Sequence, residues 1–167
     1  MATSSSSRRR KTPPSDDESI LVIEEFWPFQ LGVVANRVSQ TIAKIIDRKF
    51  DLHIPEWRML VALANHAPCS ANDVAQRTSM DRARISRAQQ RLLDLKLITV
   101  DEDPSDKRRV VLRLTEQGRD ITAALVPDAV RTERALIEVL DADERRYLQR
   151  ILTKLLEHTE GLDYEGS

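Results

Sequence analysis

The sequence predicts a mainly α-helical protein carrying one small β-hairpin. Three observations lead there. Glycine is scarce, at 4 of 167 residues, and aromatics make up only 4%, which argues against an aromatic-rich β domain punctuated by turns. Apolar residues recur at three- and four-residue steps through most of the chain, the period of an amphipathic helix. Strict alternation occurs in one short stretch, Val110 to Leu114, where Val110, Leu112 and Leu114 share one face and Val111 and Arg113 the other. With 41% hydrophobic and 32% charged residues, a chain of this length can build one packed core.

The elements follow in order. Residues 1–19 read as a disordered tail: a serine run, Arg8-Arg9-Arg10-Lys11, Pro13-Pro14 and an acidic cluster, with nothing to bury. Ile20 to Trp27 form an apolar lead-in. Pro28 suits a first helical turn, and Leu31, Val34, Val38, Ile42 and Ile45 place a helix over roughly 28–50. Pro55 opens a second helix with Trp57, Leu60, Val61 and Leu63, ending near His66-Ala67-Pro68. Ser70 and Asp73 form an approximate capping box for a short third helix that stops near Thr78-Ser79. Three residues later Asp81 caps a longer helix whose Ile85, Ala88, Leu92 and Leu95 are expected to face the core. Two helices joined by so short a turn are a helix-turn-helix signature. Leu97 to Val100 and Val110 to Leu114 then pair as a hairpin with a charged, Pro-broken tip. Thr115 caps a long helix to about Leu140, which Pro127 is expected to kink or break. Asp141 with Glu144 caps a last helix carrying Leu148, Ile151, Leu152 and Leu155.

Several function classes are disfavoured. One cysteine, Cys69, excludes an intramolecular disulfide and a Cys-rich zinc site. His53, His66 and His158 are scattered, no Gly-rich phosphate loop occurs, and no serine sits in a nucleophile elbow, so neither an enzyme nor a cofactor is expected. No apolar run reaches the ~18 residues of a membrane span and no signal-type stretch is seen, so the expectation is a soluble, cytoplasmic protein without a membrane partner.

Charge points elsewhere. The net of −1 divides into +1 for residues 1–69, +3 for 70–113 and −5 for 114–167. Within 81–96, five basic residues (Arg82, Arg84, Arg87, Arg91, Lys96) face Asp81 and Asp94. On a helical wheel Ala83, Ser86, Arg87 and Gln90 lie opposite the apolar side, with Arg82, Arg84 and Arg91 flanking. A small residue amid Arg, Ser and Gln suits a helix entering the DNA major groove, where Arg pairs with guanine and Gln with adenine. Lys107, Arg108 and Arg109 at the hairpin tip are placed to reach a neighbouring minor groove, and Asp106 to orient one of those arginines. The alternatives are a solvated basic face and a charged tip that keeps an edge strand soluble.

Residues 24–160 resemble the MarR family of winged-helix transcriptional regulators. The carrying motifs are Ile54-Pro55-Glu56-Trp57-Arg58, Ser79-Met80-Asp81-Arg82-Ala83-Arg84-Ile85-Ser86-Arg87, Asp103-Pro104-Ser105-Asp106-Lys107-Arg108-Arg109, and Leu114-Thr115-Glu116-Gln117-Gly118-Arg119. The family's hairpin pattern Asp-x-Arg-Asp-x-Arg is met by Asp103, Asp106 and Arg108, with Ser105 in place of its first Arg. The resemblance implies a winged helix-turn-helix over 55–115, flanked by dimerisation helices at 20–54 and 116–160 and a flexible end at 161–167. It further implies a homodimer on a pseudo-palindromic DNA site, with half-site centres about 34–36 Å apart. It implies a repressor released by a small aromatic or phenolic carboxylate, with Asn36, Arg37, His53, Trp57 and Arg58 as candidate ligand residues. Each of these also has a structural reading, Trp57 as a core tryptophan and Arg58 as an ion-pair partner. Cys69 is expected to be a small buried thiol, with redox sensing as the other reading. The competing function is a winged-helix protein–protein interaction module without ligand response.

Overall fold

The computed structural model describes residues 21–103, 109–159 and 161. The chain divides into two units, residues 1–34 and 35–167. In the first, a single 3₁₀ turn, Ile23–Glu25, precedes helix α1, Trp27–Phe50, whose opening turns belong to this unit. Leu21, Val22, Phe26, Trp27, Phe29, Leu31 and Val34 are all exposed there. The second unit holds the rest of α1, then α2 (Ile54–His66), α3 (Ala71–Thr78), α4 (Arg82–Asp94), β1 (Ile98–Glu102), β2 (Val110–Leu114), α5 (Glu116–Ile137) and α6 (Ala142–Thr159).

The core of the second unit is built around α2. Met59, Leu60 and Leu63 bury completely against Val74 of α3, Ile85, Ala88 and Leu92 of α4, and Leu97, Ile98 and Leu112 at the hairpin base. Truncating one such leucine to alanine removes roughly 2–5 kcal/mol. The expected caps form. Ser70 Oγ accepts from Asp73 N while the Asp73 carboxylate accepts from Ser70 N, closing the box at the start of α3. Asp81 Oδ1 accepts from Arg84 N at 2.8 Å to start α4. Thr115 Oγ1 accepts from Gly118 N at the head of α5, and Asp141 and Glu144 cap α6 reciprocally.

The helix ends use chemistry the sequence does not advertise. Ser79 and Lys96 follow α3 and α4 with φ of 51° and 58°, in the left-handed region that favours glycine. Leu97 N donates to Leu92 O at 2.9 Å and Lys96 N to Leu93 O at 2.9 Å, a Schellman arrangement that turns the chain from α4 into β1.

Four expectations are corrected. Leu95 does not face the core but stands 39% exposed, because α4 ends at Asp94 and the wheel no longer applies; half-buried Leu93 packs against the cluster instead. Strand β1 is Ile98–Glu102 rather than Leu97 to Val100, since Asp101 and Glu102 still pair with Val111 and Val110. The alternation of β2 is not kept: Val110 is exposed, whereas Val111 and Leu112 are both buried. Of the kink or break expected at Pro127, the break does not occur: α5 runs through it without interruption. One ring removes a single N–H donor, and the remaining turns of a 22-residue helix carry the element past it.

The hairpin is antiparallel, registered from Ile98 opposite Leu114 to Glu102 opposite Val110. A third strand position comes from the loop before α3, where Leu112 N donates to Cys69 O at 2.9 Å. At the other end Asp103 N donates to Arg109 O at 2.9 Å.

Candidate nucleic-acid interface

The candidate interface is the outward face of α4 with the neighbouring hairpin. Burying Ile85, Ala88 and Leu92 leaves Arg82, Ala83, Arg84, Ser86, Arg87 and Gln90 exposed on the opposite side. Two of these polar groups are held by their own helix: Arg84 Nε lies 3.2 Å from Asp81 Oδ2, and Gln90 Nε2 donates to Asp94 Oδ1 at 2.9 Å. The Asp81 carboxyl is held below the ordinary carboxylate value, first by the hydrogen bond from Arg84 N, with the Arg84 and Arg87 charges acting in the same direction. The capping group therefore stays ionised beside the arginines.

Arg91 is placed differently from its wheel neighbours. Its Nη2 donates to Asp51 O at 2.6 Å and to Asp51 Oδ2 at 2.9 Å, so this guanidinium ties α4 to the turn between α1 and α2. Nothing local announces that tie, because the two residues are 40 positions apart. Arg109, just before β2 at the end of the hairpin away from Ile98 and Leu114, lies 3.9 Å from Asp73 of α3. Asp73 is held low chiefly by the Ser70 hydroxyl, then by Ser70 N, with Arg109 and Arg77 adding to it. Asp106, Lys107 and Arg108 lie outside the described residues, as do Pro104 and Ser105 and the basic tail.

Of the five residues expected to hold a ligand, the structure brings two together. Trp57 and Arg58 line a bay of about 400 Å³ with Val61, His66 and Arg77. His53 stands at the start of α2, where its backbone N–H donates to the buried carboxylate of Glu56. Asn36 and Arg37 are exposed on α1 and do not line this bay. A second cavity of about 480 Å³ lies between α2, β2 and α5, walled by Leu63, Leu114 and Val126 with Arg113 and Arg119. Both of its arginines have partners: Arg113 Nε is 3.7 Å from Asp101 Oδ2, and Arg119 Nη1 donates to Leu114 O at 3.1 Å. Cys69 is buried, and that burial is the first cause of its raised thiol pKa, with Asp73 second, which makes it a poor thiolate. Among the described residues no three His, Cys, Asp or Glu side chains gather to hold a metal, and no helix is long and apolar enough to cross a membrane.

A sequence model described as the MarR family matches residues 50–109, the stretch from the end of α1 to the hairpin. The crystal structure of a MarR/EmrR family transcriptional regulator from Acinetobacter sp. ADP1 matches with a TM-score of 0.74 and 26% identity, covering 80% of this chain and 94% of that one. Over residues 50–109 the chain is similar to the MarR family, and its fold is that of a MarR/EmrR family transcriptional regulator. It is also similar to the HTH-type transcriptional repressor NicR of Pseudomonas putida, at 32% identity over 101 residues. That match takes in 60% of this chain and 64% of NicR, so it spans less than two thirds of the relative. A second similar structure is that of Bordetella bronchiseptica BpsR, whose DNA binding is regulated by 6-hydroxynicotinic acid. It has a TM-score of 0.72 and 27% identity, over 84% of this chain and 96% of that one.

Proposed function

We propose that this chain is a MarR-family, sequence-specific DNA-binding repressor that acts as a homodimer and is released by a small aromatic or phenolic carboxylate. The observation that carries the DNA reading is the outward face of α4. Arg82, Arg84, Ser86, Arg87 and Gln90 stand exposed around Ala83, on a helix fixed by its buried face to the rest of the second unit. In this reading Arg87, Ser86 and Gln90 contact base edges while Arg82 and Arg84 contact phosphates. Arg109 would position the hairpin, and Lys107 and Arg108, oriented by Asp106, would enter the adjacent minor groove. Arg91 is withdrawn from this set because Asp51 holds it.

Dimerisation is supported by apolar surface that has no cover among the described residues. Tyr147, Ile151, Leu152 and Leu156 are exposed on α6, and the first unit exposes Trp27 and Phe29. Faces of this kind mark association surfaces. The aromatic-acid effector is supported by the likeness to BpsR, which responds to such an acid. An effector of this kind must bind the DNA-incompetent arrangement more tightly, and a tenfold preference corresponds to ~1.4 kcal/mol.

The test is fluorescence anisotropy on the DNA upstream of the chain's own gene, with random duplex as control and repeated over a range of salt. Selective binding with a steep negative log–log salt slope is the expected result. Equal, weak binding to both duplexes would favour a protein-interaction module.

A further inference from the structure

We infer that the bay over Trp57 is a binding site for a small aromatic carboxylate, with the ring on the indole and the carboxylate held by Arg58 and Arg77. The inference rests on the aromatic-acid reading of the effector and gives that ligand a place. It departs from the sequence-based set by replacing Asn36, Arg37 and His53 with His66 and Arg77.

Three observations lead to it. The floor is apolar: Trp57, half-buried in the first turn of α2, lies beside Val61 and buried Ala62. The rim is basic: Arg58, His66 and Arg77 border the same bay of about 400 Å³, within the range of small-molecule pockets. The two guanidiniums are uncommitted as well. Among the described residues neither Arg58 nor Arg77 has a carboxylate within ion-pair distance, whereas Arg84, Arg91, Arg109, Arg113, Arg131 and Arg146 each have one. Asp73, the acidic group that influences Arg77, already accepts from Ser70 N and Oγ at 2.8 Å. An apolar floor with unneutralised guanidiniums at its edge is complementary to an aromatic ring bearing one carboxylate, because a carboxylate pairs with guanidinium groups and an indole accepts a stacked ring. The cavity between α2, β2 and α5 offers arginines too, but both are already hydrogen-bonded or paired.

The site has a route to DNA binding. Arg77 and Thr78 are the last residues of α3, and the next residue is Ser79 in its left-handed turn, followed by Met80 and the α4 cap Asp81. A larger adjoining bay of about 770 Å³ is lined by the same His66 and Arg77 together with Ser79 and, from α6, Leu156. A ligand drawing on Arg77 therefore acts next to the turn that sets the angle between α3 and α4.

The experiment is isothermal titration of the full-length protein with 6-hydroxynicotinate and with benzoate, using benzamide as the uncharged control. The expected result is binding of at least one acid, about tenfold weaker or absent binding of benzamide, and about tenfold weaker acid binding in Arg58→Gln and in Arg77→Gln. Arg113→Gln and Arg119→Gln should retain wild-type affinity. Both Arg58 and Arg77 are exposed, so neither substitution threatens the fold. The site is overturned if an acid binds wild type and the Arg58 and Arg77 variants equally, or if the Arg113 and Arg119 variants alone lose it. A wild-type protein that binds neither acid, and keeps its DNA in their presence, overturns the effector reading itself and the site with it.

Discussion

Gly118 lies where the start of α5 meets the turn between α4 and β1, and replacing it with alanine tests how tightly that junction is built. A Cβ at this position would fall 2.0 Å from Leu97 O, whereas ordinary van der Waals contact begins at 3.4 Å. The obstacle is backbone, which cannot rotate aside as a side chain would. Leu97 O also accepts from Thr115 N at 3.0 Å, and Thr115 Oγ1 donates to Lys96 O at 2.9 Å while accepting from Gly118 N at 3.0 Å. Opening the junction enough to admit a methyl group stretches these bonds together. Overpacking of this kind costs ~1–3 kcal/mol. The two of these bonds that cross the junction, from Thr115 to Leu97 O and Lys96 O, add about 1 kcal/mol each when weakened. Better helix propensity returns about 1 kcal/mol. The net is a loss of roughly 2–4 kcal/mol, or a fall in Tm of roughly 5–15 °C for a chain of this size. Thermal unfolding followed by circular dichroism reads it directly. A Gly118→Ala protein that melts at or above wild type would refute the reasoning, because the helix-propensity gain would then be the only effect operating.

Other outcomes follow from the same geometry. A Cβ on Gly32 would meet no atom within 4 Å, so Gly32→Ala should hold or raise Tm, by up to about 1 kcal/mol of helix propensity; a clear loss would place Gly32 in a buried contact between chains. Lys96→Gly should stabilise by about 0.5–1 kcal/mol, since φ is 58° there, and an unchanged or lower denaturant midpoint would contradict the strain argument. Arg87→Ala should weaken operator binding at unchanged Tm, while Arg91→Ala should lower Tm by breaking the Asp51 tie; anisotropy and melting on both variants separate the two roles. Asp128 accepts a hydrogen bond from Lys49 at 2.5 Å, which with the Lys49 and Arg131 charges holds its pKa below the ordinary 3.8. A depressed folded-state pKa contributes stability above the unfolded value that is lost as pH falls through the folded one. Asp128→Asn should therefore lower Tm at neutral pH, and the gap to wild type should close in acid, below pH 3.8; a gap that persists there would exclude this pair as its source.

What the sequence disclosed was largely local. Ser70 with Asp73, Asp81, Thr115 and Asp141 with Glu144 cap helices through partners three residues away, and all four helix starts are found where those residues stand. The apolar faces of α2 and α4 were legible for the same reason, since a periodic stripe encodes its own burial. Errors arose where one element ends or another chain segment intervenes. Leu95 lies past the end of α4, where the wheel stops holding, and Val111 is buried on the face that alternation assigns to solvent. The left-handed turns at Asp51, Ser79 and Lys96 use no glycine, so composition gave no sign of them. The candidate interface shows the same division. Exposure of Arg82, Ser86 and Arg87 is a consequence of helical period, whereas the capture of Arg91 by Asp51 and the meeting of Arg58 with Arg77 depend on tertiary packing.

The single hydrogen bond from Leu112 N to Cys69 O joins the hairpin to the loop that starts α3. Because Ser70, the next residue, caps α3 and donates to the Asp73 that faces Arg109, the hairpin and the helix-turn-helix share one framework. In the proposed complex this means the two DNA-contacting elements are aligned during folding, and little conformational entropy remains to be lost when DNA arrives. Their relative placement then acts as a fixed gauge. A duplex whose groove widths differ from that gauge must itself deform, so base pairs lying between the contacts would influence affinity without being touched.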